Sequence, residues 1–254
     1  MKTAPACTLL GALIALGACS PGPGVAPQPR PSGSPEIDPR VVRAHAEQFD
    51  TDVPLRPAGS QEEFAAATYL TGHLQQAGYV VRLDAVPVED LVRSTNVVAL
   101  PEGRVETVVV VPYDTGPDGG GGSSLGLFLE LARALEVAAP DHRVQFVALG
   151  ADLTPVGGGQ LGARALVREL EERDLDPGIL APTVCERCPV TASGASAGAF
   201  LSAARAARVP AGEGDPPALD RAIFEDGGYA FTAVAGPPRA LGAALLELLI
   251  GAGS

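Results

Sequence analysis

The stretch from Thr107 to Leu135, TVVVVPYDTGPDGGGGSSLGLFLELARAL, constrains the fold of this chain most. The β-branched run Val108 to Val111 predicts a buried strand. A glycine-rich loop follows. Then Leu125, Leu127, Phe128, Leu131 and Leu135 recur at helical spacing and predict a helix over 123–138. Strand, loop and helix in this order are one arm of a parallel α/β sheet, and in such sheets binding sites form in loops at the carboxyl ends of strands. This loop carries Asp114 and Asp118 but no His. The stretch therefore specifies a fold more firmly than a reaction.

The rest of the chain repeats the alternation. Asp38-Pro39 opens a helix to about Phe49, with Pro39 at its first position. Ser60 and Glu63 form a capping box for a second helix that Gly78 ends. Strands are predicted at 79–88, 96–100, 143–149, 179–184 and 229–235, and further helices at 160–173, 198–208, 217–226 and 238–250. The expected architecture is a three-layer αβα domain, a mostly parallel sheet with helices on both faces. With 254 residues and 46% hydrophobic content, one such domain can bury a proper core. Trp is absent, so Ala, Val and Leu must build it.

The residues quoted above resemble the M28 family of zinc aminopeptidases. Its members carry a strand ending in His-x-Asp, a loop ending in Asp-Asn-x-Ser-Gly, and a helix containing LLELAR. The likeness continues through Arg56-Pro57-Ala58-Gly59-Ser60 and QEEFAAATYLTGHLQQAGY, through Asn96 to Ala99, through RVQFVALGA at 143–151, and through Asp220 to Phe224 with Gly227-Gly228-Tyr229. It spans residues 36 to 251. The resemblance implies a zinc-peptidase-like fold, and it also shows where the chemistry departs. Pro112 stands at the first His ligand, Gly120 at the metal-bridging Asp, and Asp152-Leu153 at the Glu-Glu pair of general base and ligand. No His follows His142, so the last His ligand has no counterpart. Zinc needs three or four N, O or S donors, and Pro, Gly and Leu side chains offer none. Asp114, which would orient the missing His, is expected to cap loop amides. Asp152 is expected to be an exposed or helix-capping residue. Asp118 could serve as a ligand only if the loop changes register.

Other motifs are weaker. Gly194-Ala195-Ser196-Ala197-Gly198 matches the nucleophile elbow G-x-S-x-G. All three histidines (His45, His73 and His142) precede Ser196, the reverse of the usual order, so a small-residue turn is expected. The histidines are expected at the surface. Gly119 to Gly122 lacks the lysine and the spacing of a phosphate loop.

The first 35 residues are expected to lie outside the domain. Lys2, an apolar run over Leu9 to Leu16, and Leu16-Gly17-Ala18-Cys19 resemble a bacterial lipoprotein signal. This implies a signal peptide at 1–18, lipidated Cys19, an extracytoplasmic domain at 36–254 anchored to a bacterial membrane, and a Pro/Gly/Ser-rich tether at 19–35. The formal charge is −12; losing Lys2, the only charge before Cys19, makes it −13. That disfavours nucleic acid. With Cys7 in the signal, Cys185 and Cys188 of CERC remain. A disulfide is expected in an exported chain; a structural zinc site, a redox pair and two free thiols are the alternatives. The functional expectation is a binding or scaffolding module for a peptide or protein ligand, without a cofactor. An active zinc aminopeptidase with a rearranged metal site is the rival.

Overall fold

The structure is a computed structural model, and residues 33–89, 92–218 and 220–252 are described. The signal segment, with Cys7 and Cys19, lies outside the described residues. In chain order the elements are α1 (Pro39–Asp52), α2 (Gln61–Gln76), β1 (Val80–Glu89), β2 (Val92–Leu100), β3 (Thr107–Pro112), α3 (Gly122–Ala138), β4 (Val144–Leu149), α4 (Leu161–Glu172), β5 (Gly178–Val184), β6 (Val190–Gly194), α5 (Ala197–Ala206), β7 (Ala211–Glu213), α6 (Arg221–Asp226), β8 (Phe231–Gly236) and α7 (Pro238–Ala252).

Eight strands form one sheet in the order β1-β2-β4-β3-β5-β8-β6-β7. The central four, β4, β3, β5 and β8, run parallel. The hairpin β1–β2 joins antiparallel at one side, and β6 joins β8 antiparallel at the other. Every residue of β4 and of β8 is buried, as expected of strands covered on both faces. Alternation divides β3 between two cores. Val109 and Val111 pack with residues of α1, α2, α3, α5 and α7, while Val108 and Val110 pack with those of α4 and α6. The three-layer αβα expectation holds.

Local chemistry explains the helix starts. Asp38 accepts the Arg40 amide at 2.9 Å and Pro39 takes the first turn of α1. Ser60 Oγ accepts the Glu63 amide at 3.0 Å, and Glu63 Oε2 reaches back to the Gly59 amide at 2.6 Å. Helices α1 and α3 touch through glycine. A Cβ on Gly126 would lie 2.2 Å from the Val42 carbonyl oxygen, and one on Gly122 would lie 2.5 Å from Asp50 Oδ1.

Two short strands escaped the sequence. VTASG (β6) has only two apolar residues and AGE (β7) is exposed throughout; both are too short to announce a strand, and β8 and then β6 offer them a pairing edge. Strand β2 starts at Val92 rather than at Asn96, because Arg93-Ser94-Thr95 continues the pairing with β1 as a ribbon beyond the parallel strands. The predicted helix over 217–226 shortens to α6.

The connections leaving β3 and β4 turn to opposite faces, β3 into α3 and β4 into α4. A crevice between their carboxyl ends is the binding position such a topology provides.

Candidate functional site

The loop after β3 carries Tyr113, Asp114 and Thr115; the loop after β4 carries Asp152, Leu153 and Thr154. The structure sews the two together. Asp114 Oδ1 accepts the amides of Asp152 (2.9 Å) and Leu153 (3.0 Å), and Asp114 Oδ2 accepts the Thr154 amide (2.7 Å) and the Thr154 hydroxyl (2.7 Å). Asp114 is 1% exposed. It caps loop amides, as expected, and it does so across the crevice. Its accepting capacity is taken up by these donors.

Arg56 completes the clasp from the segment before α2. It is fully buried, and its guanidinium donates to the carbonyls of Tyr113 (2.7 Å), Val53 (2.7 Å), Phe49 (3.3 Å) and Gly120 (2.7 Å). It also lies over the Phe49 ring at 5.5 Å. Burial lowers its pKa, while Asp50 and Asp114 work against that shift. The bond to Gly120 fixes the glycine loop with a side-chain cation at the position where the resemblance puts a metal-bridging carboxylate. The Arg56 amide donates to Thr115 Oγ1 and its carbonyl accepts the Thr115 amide. Glu63 is buried as well; it accepts the Ser94 hydroxyl and the Ala151 amide, and burial raises its pKa.

Asp152 is buried, not exposed. Its Oδ1 accepts the Ala163 amide in the first turn of α4 at 3.0 Å, so the helix-capping half of the expectation holds. Its other oxygen faces Asp220, the residue before α6. Asp152 Oδ2 and Asp220 Oδ1 meet no other donor. Two buried carboxyls this short of donors disfavour the doubly charged form. Burial, then the charge of Asp220, raises the Asp152 pKa well above the carboxylate range, and burial raises that of Asp220. Asp118 does not join this group. It is exposed and makes no hydrogen bond or ion pair among the described residues.

This donor set does not fit zinc. Pro112, Gly120 and Leu153 supply no side-chain ligand, Asp114 is taken up by its four donors, and Asp152 is divided between Ala163 and Asp220. Among the described residues no three His, Cys, Asp or Glu side chains gather as metal ligands.

The other sites resolve separately. His142 is buried rather than superficial. Its Nδ1 accepts the Val144 amide at 3.1 Å, which leaves Nε2 to carry the proton toward Glu136 (3.2 Å) and Tyr79 Oη (2.9 Å). His45 and His73 are half-buried and stack edge-on at 4.7 Å, with Tyr69 Oη 2.8 Å from His45 Nδ1. Burial, then His73, lowers the His45 pKa to about 4. Ser196 begins α5 and its amide donates to Thr232 Oγ1 at 2.8 Å, as expected of a turn before a helix. Cys185 and Cys188, expected as a disulfide, are both thiols here, and Cys188 Sγ donates to the Cys185 carbonyl at 3.4 Å.

Asp220 and Arg56 are the residues that sequence reasoning passed over as site members. A signal existed for each: Arg56 opens the segment that leads into α2, and Asp220 precedes an apolar helix turn. Neither signal says which distant loop the side chain meets.

No family model and no curated protein matches the chain. Solved structures do match in fold. A leucine aminopeptidase precursor from Bacteroides thetaiotaomicron superposes with a TM-score of 0.71 at 16% identity, covering 86% of this chain and 98% of that one. A glutaminyl cyclase from the same organism, bound to N-acetylhistamine, gives 0.72 at 16% identity, covering 86% and 99%. A Zn-dependent exopeptidase from Parabacteroides distasonis gives 0.68 at 14% identity, covering 87% and 100%. The chain therefore carries a peptidase-like α/β domain with the fold shared by zinc-dependent exopeptidases and glutaminyl cyclases.

Proposed function

We propose that this chain is a membrane-anchored lipoprotein whose peptidase-like domain binds a ligand and does not cleave it. The observation that carries the reading is the clasp. Asp114 and Arg56, the charged groups nearest the crevice, spend their hydrogen-bonding capacity on the protein's own backbone. A catalytic site keeps such groups available for the developing charge of a transition state. Here they hold the loops in place. The surface beside the clasp offers apolar contact instead. Leu55 is 51% exposed beside Gly119, Phe64 is 71% exposed in the first turn of α2, and Val92 is 38% exposed beside Gly59. An apolar peptide side chain is the ligand class such a rim suits. Anchoring would come from Cys19, since no helix among the described residues is long and apolar enough to cross a membrane.

A second reading is favoured by one observation, the buried and donor-poor carboxyls of Asp152 and Asp220, which could donate or accept a proton in an active enzyme of rearranged site. The folds of the neighbours, among them an aminopeptidase and a glutaminyl cyclase, keep that reading open to test. Aminoacyl naphthylamides and peptides with N-terminal Gln, incubated with the full chain and excess zinc, separate the two. The binding reading expects no turnover above buffer and expects Leu55→Asp to weaken capture of apolar peptides. Turnover abolished by Asp152→Ala contradicts it. For the anchor, Cys19→Ala is expected to move the protein from the membrane to the soluble fraction, and unchanged partition contradicts it.

A further inference from the structure

We infer that the turn Cys185-Glu186-Arg187-Cys188 is a redox-active dithiol that exchanges with small, carboxylate-bearing disulfides, Cys185 attacking and Cys188 resolving. The turn joins the end of β5 to the start of β6, at the same end of the sheet as the crevice. Two anchors hold its base. The Cys185 amide donates to the Gly236 carbonyl at 3.0 Å, and the Val184 amide donates to Ser124 Oγ at 3.0 Å. The bond from Cys188 Sγ to the Cys185 carbonyl then folds the second cysteine back toward the first. Both are partly exposed, which exchange requires.

The two thiols are not equivalent. The neighbouring Cys188 side chain lowers the Cys185 pKa, whereas burial raises that of Cys188. The thiolate, the attacking form, is favoured on Cys185. Substrate charge follows from the surroundings. A depression of ≈ 210 Å³ adjoins the turn, lined by Glu186, Ser123, Pro238, Arg43 and Arg239. The two arginines are exposed and have no acidic partner among the described residues, in a chain of net charge −12. They are free to meet a ligand carboxylate.

The exchange balances in two steps. Cys185, its proton given to solvent, attacks one sulfur of R–S–S–R; the Cys185–S–R bond forms, the S–S bond breaks, and one thiolate leaves. Cys188 then gives up its proton and attacks the Cys185 sulfur; the intramolecular disulfide forms and the second thiolate leaves. Two protein thiols lose two electrons, the small disulfide gains them, and the two leaving thiolates take up two protons from solvent.

The test uses the full chain, reduced and then equilibrated with mixtures of reduced and oxidised glutathione, with each cysteine scored by differential alkylation and peptide mass spectrometry. We expect a Cys185–Cys188 disulfide that forms and reverses with the glutathione ratio. In Cys188→Ser a mixed disulfide accumulates on Cys185; in Cys185→Ser the mixed disulfide on Cys188 forms about tenfold more slowly. Oxidised glutathione should outpace the cationic disulfide cystamine, each rate divided by that of the isolated CERC peptide, and Arg43→Glu with Arg239→Glu should reverse the preference. No disulfide in oxidised glutathione, or Cys188 reacting as fast as Cys185 in the folded wild-type chain, overturns the dithiol assignment. Equal normalised rates for the two disulfides overturn the substrate class.

Discussion

Asp114 and the Asp152–Asp220 pair occupy the same end of the sheet and are all buried, yet they are opposite kinds of site. Asp114 is surrounded by donors, three amides and a hydroxyl. Asp152 and Asp220 are short of them, each with a buried oxygen that accepts no hydrogen bond. The first is a carboxylate used as a structural clamp. The second is a pair of carboxyls whose burial favours the neutral form. Burial alone therefore says little about what an acidic residue does; the count of donors around it decides.

The largest expected effect is at the clamp. Asp114→Ala leaves three amides and the Thr154 hydroxyl without their acceptor, and should cost about 3–5 kcal/mol of stability, measured by urea unfolding. A cost below about 1 kcal/mol would show that water replaces the carboxylate easily and that the loops are not held by it. Arg56→Met should come next, at about 2–4 kcal/mol, since four carbonyls lose their donor while the stem's packing survives.

The pair should respond in the other direction. A carboxyl whose folded pKa is raised stabilises the fold below its unfolded pKa, and that contribution is lost as pH rises through the folded value. Asp152→Asn removes one of the two buried carboxyls, keeps an acceptor for the Ala163 amide and gives Asp220 a donor. It should raise the melting temperature at pH 8 by about 2–4 °C and give no gain at pH 4. Equal shifts at both pH values would mean that the pair holds no proton. The smallest effect belongs to His45. Its depressed pKa makes it neutral in the fold, so it contributes stability above its unfolded pKa of 6.5 that is lost as pH falls toward about 4. His45→Gln should flatten the stability profile across that window, and an unchanged slope would remove His45 as the cause.

The same contrast explains how much was legible in the sequence. The framework was legible because apolar patterns are local: Val108 to Val111 announced β3, and Leu125 to Leu135 announced α3. The clamp was half legible. Asp114 reads as a loop cap from its neighbours, but its donors come from residues 152 to 154. The pair was not legible, since Asp152 and Asp220 meet only when α4 and α6 pack on one face of the sheet, and no spacing encodes that contact. His142 misled for a related reason: a turn residue looks exposed until Tyr79 and Glu136 arrive from other elements. Strands β6 and β7 were missed because pairing, not composition, makes them strands.

Asp114 and Arg56 hold this end of the sheet through their own hydrogen bonds, and the side chains around them do not fit zinc. Metal analysis of the full chain, after equilibration with excess zinc and dialysis, tests it most directly. No stoichiometric zinc is expected, and no change in melting temperature on adding it. One or two tightly held zinc ions per chain, lost in Asp114→Asn or Asp152→Asn, would contradict it.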